Sequence, residues 1–274
     1  MKRKTWPLFI LALGLCLAGA HQSWGALLAY EPFDYPNDGP QLDDRDGGFG
    51  WEGGWDDGTT VDFNHLTQND VSLESPANPL PTAGDHVAGT GGSIQRLFTD
   101  SFSMTQENAS LYFSLLMRKE ADGGTAGDNV EFNLGSTTTT NIVRVGSTSG
   151  EQFFINFNGT ALNGEEFELG VNYFLVGKLV ANGAANDEVH LMIFGEDEMV
   201  PDVEPAVWDM TVANASSGNI RVARMVIGAN ATGALDEIRL GQSWTDVTRV
   251  PEPATWGLLV MGLAALGGVC RRRR

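Results

Sequence analysis

The chain has 274 residues, 42% of them hydrophobic and 19% charged, with 35 acidic against 17 basic side chains and a formal net charge of −18 at pH 7. So acidic a balance argues against nucleic acid and anionic lipid as partners, since both are held by clustered Lys and Arg. The two cysteines, Cys16 and Cys270, both lie in apolar end segments, so residues 27–250 have neither a disulfide nor a thiolate metal site.

At the N-terminus, Lys2, Arg3 and Lys4 precede an uncharged apolar run from Trp6 to Ala20. These are the charged and hydrophobic regions of a secretory signal peptide, expected to span residues 1–25. Ala18-Gly19-Ala20 and Ser23-Trp24-Gly25 both fit the small-x-small cleavage rule, and the second, favoured here, starts the mature chain at Ala26. Leu15 is too bulky for a lipid-attachment box at Cys16. Between residues 27 and 250 there are 34 acidic and 10 basic side chains, a formal charge of −24. That charge suits solubility outside the cell, divalent cations or neutral glycans, and the length suits one β-rich domain, residues 26–246.

Residues 27–90 are rich in Gly, Asp, Asn and Pro among scattered aromatics, which predicts one entry strand followed by long ordered loops. From Ser110 to Arg118 the pattern alternates, with Leu111, Phe113, Leu115 and Met117 on one side, predicting a half-buried strand. The same two-residue period recurs at Val130, Phe132 and Leu134, at Phe153, Ile155 and Phe157, at Val189, Leu191 and Ile193, and from Ile220 to Val226. Tyr173 to Val180 is apolar on both sides except at Lys178 and should be central. Turn chemistry lies between the runs at Gly123-Gly124, Gly135-Ser136, Asn158-Gly159, Asn163-Gly164, Asn182-Gly183 and Ser217-Gly218. Ten to thirteen strands and no amphipathic helix predict an all-β, two-sheet antiparallel sandwich.

Several segments, in this order, resemble the concanavalin A-like jelly rolls of LamG or pentraxin type. They are Leu28 to Tyr35, Gly50-Trp51, Gly54-Trp55, Asn172 to Leu179, Asp187-Glu188-Val189 and Leu235 to Gly241. The resemblance implies that the late Asp236-Glu237-Ile238-Arg239 strand returns beside the N-terminal strand. Laminarinase-type glucanases of that fold place two catalytic glutamates on one strand face in Glu-x-Asp-x-Glu, and this chain lacks the motif. Its nearest string, Glu196-Asp197-Glu198, has adjacent acids that alternate faces, and it is expected to be a solvated loop. His65, His86 and His190 have no zinc spacing, and no Gly-x-Ser-x-Gly elbow occurs. No catalytic residue is therefore assigned.

Two other sites are open. Asp43, Asp44, Asp46, Asp56 and Asp57, with Asp62 close by, crowd one loop region and could offer hard oxygen ligands to calcium, or simply be solvated. Trp51 and Trp55, with Trp208, could stack on sugar rings or pack into the core.

The tail closes the chain with Pro251, Glu252 and Pro253, which end a linker of residues 247–253. An uncharged, largely apolar stretch follows over residues 254–270, and then Arg271, Arg272, Arg273 and Arg274. At 1.5 Å per residue the stretch is a helix of about 25 Å, slightly short of the ~30 Å hydrocarbon core, with the arginines held cytoplasmic. A plain membrane anchor is one reading. The triplet, short helix and basic end together resemble the PEP-CTERM sorting signal of Gram-negative bacteria, which implies an exosortase, a transient membrane anchor and delivery to the cell envelope or extracellular matrix. The function expected is that of a non-enzymatic polysaccharide-binding or structural module, the alternative being a glycan-active enzyme with an unrecognised site.

Overall fold

The computed structural model describes residues 27–36, 42–56, 66–67, 72–75, 82, 84–89, 93–120, 129–136, 141–183, 186–214, 221–229 and 233–249. The expected signal peptide, the 254–270 helix, the sorting triplet and arginines, Asp57, Asp62, His65, and the turns at 123–124 and 217–218 lie outside them.

Fourteen strands run through the described residues: β1 (Ala29–Glu31), β2 (Leu66–Thr67), β3 (His86–Gly89), β4 (Ser93–Ser103), β5 (Ser110–Lys119), β6 (Val130–Gly135) and β7 (Asn141–Ser147), then β8 (Gln152–Phe157), β9 (Thr160–Glu166), β10 (Tyr173–Val180), β11 (Asp187–Phe194), β12 (Met210–Asn214), β13 (Arg221–Ala229) and β14 (Gly233–Gly241). They form two antiparallel sheets. An eight-stranded sheet has the order β12-β11-β10-β5-β14-β3-β2 with β1 also on β14, and a six-stranded sheet the order β4-β13-β6-β7-β8-β9. Gly25–Thr248 is one compact unit.

Alternation explains the core. Leu111, Phe113, Leu115 and Met117 of β5 point inward with Leu175 and Leu179 of β10, meeting Val130, Phe132 and Leu134 of β6 and Phe153, Ile155 and Phe157 of β8. Packing is close enough to require a missing side chain: a Cβ on Gly177 would lie 1.9 Å from Phe113 Cζ, its ladder partner.

β14 closes the domain, pairing with β5 along its length and successively with β3 and β1. Ala29, Tyr30 and Glu31 face Leu240, Arg239 and Ile238, the pairing implied by the jelly-roll resemblance. A bulge between Asp236 and Arg239, with Glu237 at φ 51, shifts the β14–β5 register. Inside it the Asp236 carboxylate accepts bonds from the Ser72 hydroxyl and from the amides of Leu73 (2.9 Å) and Glu237 (2.7 Å).

Four expectations change. β5 is buried on both faces, because Leu116, Phe174, Val176 and Phe194 on the outward side of its sheet pack with Trp244 and Val247 of a short helix, α1 (Trp244–Thr248). Asn163-Gly164 is not a turn but lies within β9, while Asn158 (φ 47) and Gly159 (φ 90) form the tight β8–β9 hairpin. The 27–90 region contributes β2 and β3 beyond the entry strand. The strand count rises because β4, β7, β9 and β12 carry too many polar residues to read as apolar runs.

The two sheets are tied at one edge by a buried ion pair. Arg96 of β4 points inward and binds Glu31 of β1, Asp46, the Gly53 carbonyl (2.9 Å) and the Gly47 carbonyl (2.9 Å). Glu31 also accepts from the Tyr35 hydroxyl (2.8 Å) and the Phe33 amide (2.9 Å). Losing one member of such a pair strands a buried charge, at a cost of about 3–5 kcal/mol. Burial pushes the Glu31 carboxyl up to about 7, outweighing Arg96 and the two other donors. Burial likewise raises Asp236 well above the carboxylate range.

Both acids therefore hold protons in the folded state at pH values where the unfolded chain has released them. The stability each carries is complete below the ordinary carboxylate range and is lost as pH rises through its folded value, which for Glu31 is about 7. The melting temperature should fall between pH 5 and 8, and Glu31→Gln should flatten that fall while Asp236 keeps part of it. An unaltered slope in the variant would show that Glu31 does not titrate there.

Candidate functional site

The residues alternating with the core on the six-stranded sheet form its outward face. Because Val130, Phe132 and Leu134 point in, Glu131 and Asn133 point out; Arg144 of β7, Asn156 of β8 and Arg224 of β13 do so for the same reason. Register aligns them. One row runs Gln95, Val226, Asn133, Arg144, Asn156 across β4, β13, β6, β7 and β8. Four interstrand steps of about 4.8 Å make it about 19 Å long, the reach of several linked sugars. A neighbouring row runs Glu131, Gly146, Phe154, Asn163, and the chain at Gly146 lies so close to β6 that a Cβ there would be 1.9 Å from the Val130 carbonyl oxygen.

Arg144 organises the middle of this face. Its guanidinium pairs with Glu131, which also accepts from Asn129 Nδ2 at 2.9 Å, and lies 5.7 Å from the Phe154 ring centroid. An open depression of about 410 Å³ is lined by Asn129, Arg144, Thr148, Ser149, Phe154, Asn156 and Asn163. Carboxamides and hydroxyls both donate and accept, which matches sugar hydroxyls. Beside it, Asn133 is 0% exposed, and neither its Nδ2 nor its Oδ1 has a hydrogen-bond partner. A buried carboxamide left so costs about 1–3 kcal/mol per group and calls for an explanation.

A second polar cluster lies on the outward face of the eight-stranded sheet. Glu204 accepts from the Tyr112 hydroxyl (2.6 Å) and from Lys178 Nζ (2.7 Å), His190 Nδ1 lies 2.9 Å from Thr211 Oγ1, and Trp208 packs 5.4 Å from the His190 ring. Burial, then the bond to Glu204, pushes Tyr112 up to about 12. Burial is the largest single influence and opposes charge on Lys178 and Glu204, yet their mutual bond, the bonds to Tyr112 and the neighbouring charges together outweigh it, holding Lys178 above and Glu204 below their ordinary values. Burial lowers His190. These groups satisfy one another, so the cluster acts as a clamp holding the 195–209 loop on the sheet.

The tryptophans and aspartates have other work. Trp51 stacks on Phe98 (5.1 Å) and Trp55 on Phe33 (5.8 Å), both indoles flank the Arg96 guanidinium, and both are buried, so neither offers a ring face to a sugar. The Asp46 carboxylate binds Arg96, the main chains of Asp43 and Asp44 bridge to that of Trp55, and Asp56 exchanges backbone bonds with Gln95. Among the described residues no three His, Cys, Asp or Glu side chains gather to hold a metal. Glu196 and Glu198 sit in an exposed turn, where Glu198 accepts from the Gly195 amide at 2.9 Å. The outward face was missed although Asn129-x-Glu131-x-Asn133 is the polar complement of Val130, Phe132 and Leu134. No helix of the described residues is long and apolar enough to cross a membrane.

Residues 249–274 match the PEP-CTERM protein-sorting motif, which implies export and membrane-associated sorting. No curated protein is similar to the chain in sequence. Among solved structures the chain is similar to lectin II from Ulex europaeus, at 12% identity and a TM-score of 0.40 over 65% of this chain and 94% of that one. It is similar to an endo-β-1,4-glucuronan lyase from the fungus Trichoderma reesei at 8% identity and a TM-score of 0.38, over 72% and 98%. A sialidase matches at 9% identity and a TM-score of 0.38 over 60% of this chain, which spans only 15% of the sialidase's length.

Glu204→Gln should weaken the clamp and expose the 195–209 loop. Limited proteolysis should then cut within 195–209 several-fold faster with little change in melting temperature; an unchanged cutting rate would mean that the loop is held by Val200 and Trp208 alone.

Proposed function

We propose that the chain is an exported, non-enzymatic β-sandwich that binds extracellular polysaccharide along the outward face of its six-stranded sheet. Its PEP-CTERM tail would be processed by an exosortase-type enzyme, leaving the domain at the cell envelope or in the extracellular matrix. The observation that carries this reading is the row from Gln95 to Asn156, about 19 Å long, polar except at Val226 and containing a buried carboxamide with no partner. A protein surface gains nothing from such a group by itself, whereas a ligand hydroxyl satisfies it.

The same face supports binding over hydrolysis. Glycoside hydrolysis with retention or inversion uses two carboxyl groups at a set separation. β6 presents Glu131 between Asn129 and Asn133, and the one carboxylate of that set is occupied by Arg144 and Asn129. Carboxamides hold sugar hydroxyls but neither protonate a leaving oxygen nor attack carbon.

The test is a glycan array followed by calorimetry on residues 26–250, with a reducing-sugar and an unsaturated-product assay alongside. Binding without product release is expected. Arg144→Ala and Asn156→Ala should each weaken binding about tenfold while leaving the melt within about 1 kcal/mol, because the Arg144–Glu131 pair is part-exposed. Product release by the purified protein would defeat the binding-module reading, and unchanged affinity in both variants would move the site elsewhere.

A further inference from the structure

Arg224 stands one diagonal step from Asn133 on the same face, since Val226, two residues on, is the ladder partner of Asn133. The residue is 8% exposed, and its guanidinium donates to Gln95 Oε1 (2.7 Å) and Asn141 Oδ1 (3.2 Å), both neutral. Its Nε has no partner, and no carboxylate among the described residues pairs with it. Burial alone lowers its pKa, with no acid nearby to oppose the shift. This is unexpected in a domain with 34 acidic and 10 basic side chains, where Arg96, Arg118, Arg144 and Arg239 all have carboxylate partners. Gly135, opposite Arg224 in the ladder, carries no side chain to pair with it.

Resting on the polysaccharide reading above, we infer that Arg224 and Asn133 form a subsite for the carboxylate of an acidic sugar within an otherwise neutral polysaccharide. The Arg224 Nε–H and an adjacent Nη–H form an edge that takes a planar carboxylate by two parallel bonds. Asn133 Nδ2 donates to the same anion, and its Oδ1 accepts from a hydroxyl on the neighbouring ring carbon. A uronic acid presents both groups; a neutral hexose lacks the first. The formal charge of −24 on residues 27–250 repels a dense polyanion, so a lone acidic sugar is the form that the site and its surroundings both admit.

The experiment compares a neutral oligosaccharide carrying one uronic acid with its carboxyl-reduced form, by calorimetry on residues 26–250. The acid form should bind at least tenfold more tightly, the worth of a charge-assisted bond of about 1.5–3 kcal/mol. Arg224→Gln should bring the acid form down to the affinity of the reduced form while leaving the latter within twofold, whereas Arg144→Ala should weaken both. Asn133→Leu should lose affinity for the acid form without lowering the melting temperature, because the carboxamide makes no bond in the free protein. Equal affinity of the parent for the two forms overturns the subsite and leaves the polysaccharide reading standing. Binding of neither form overturns both. A sharp fall in melting temperature in Asn133→Leu would show that the carboxamide is structural, and the subsite would fall.

Discussion

The architecture depends on one buried guanidinium. Arg96 points into the sandwich from β4, at the edge of the six-stranded sheet, and gathers Glu31 of the eight-stranded sheet, Asp46, two glycine carbonyls and the faces of Trp51 and Trp55. A cysteine-free domain has no covalent means of fixing its long first loop, and Arg96 substitutes for one by giving that loop a charged centre to fold around. Such a pair adds little net stability, since desolvation offsets most of the attraction; what it supplies is a single arrangement, because any other leaves a charge stranded. Phe33 accepts a left-handed backbone at φ 53 beside it, a strain of about 1–3 kcal/mol that only over-determined surroundings sustain.

That constraint reaches the opposite face through alternation. With Arg96 fixed inward, Gln95 must point outward, where it meets Arg224. The structural clasp and the candidate site are thus consecutive residues on one strand. The two outward faces of the sandwich then differ in kind. On the eight-stranded sheet, α1 and the 195–209 loop cover the apolar side chains, and Tyr112, Lys178 and Glu204 satisfy each other. On the six-stranded sheet the polar groups are in register but incomplete, and Asn133 and the Nε of Arg224 await partners. Incomplete satisfaction held in place by a rigid sheet is what a preorganised binding face requires.

Most of the core was legible because its strands keep a strict two-residue period: β5, β6, β8, β10, β11 and β13 were all visible as alternating or continuous apolar runs. β4 was not, since Arg96 occupies a core position between Ile94 and Phe98 and breaks the apolar side. β9 was hidden because nearly all of it is exposed, so no face of it is selected for hydrophobicity. Trp51 and Trp55 were legible as core aromatics or as sugar-stacking ones but not as the flanks of a buried charge, because Arg96 is 40 or more residues away. The candidate site was only half readable. Glu131 and Asn133 sit on one strand with Asn129 just before it, but Arg144 joins them through the β6–β7 ladder, whose register shifts at Leu134/Gly135, and Arg224 through the β13–β6 ladder from a strand about 90 residues on, and no local pattern encodes either pairing.

The claim that the outward face of the six-stranded sheet is where ligand binds is tested most directly by arginine footprinting. Arg144 has 38% of its side chain exposed and Arg118, on the other sheet, has 25%, so both react with a dicarbonyl reagent in the free protein and one calibrates the other. At saturating polysaccharide, modification of Arg144 should fall several-fold while that of Arg118 stays constant. Protection of Arg118 with Arg144 still reactive would place the ligand on the eight-stranded sheet and contradict the assignment.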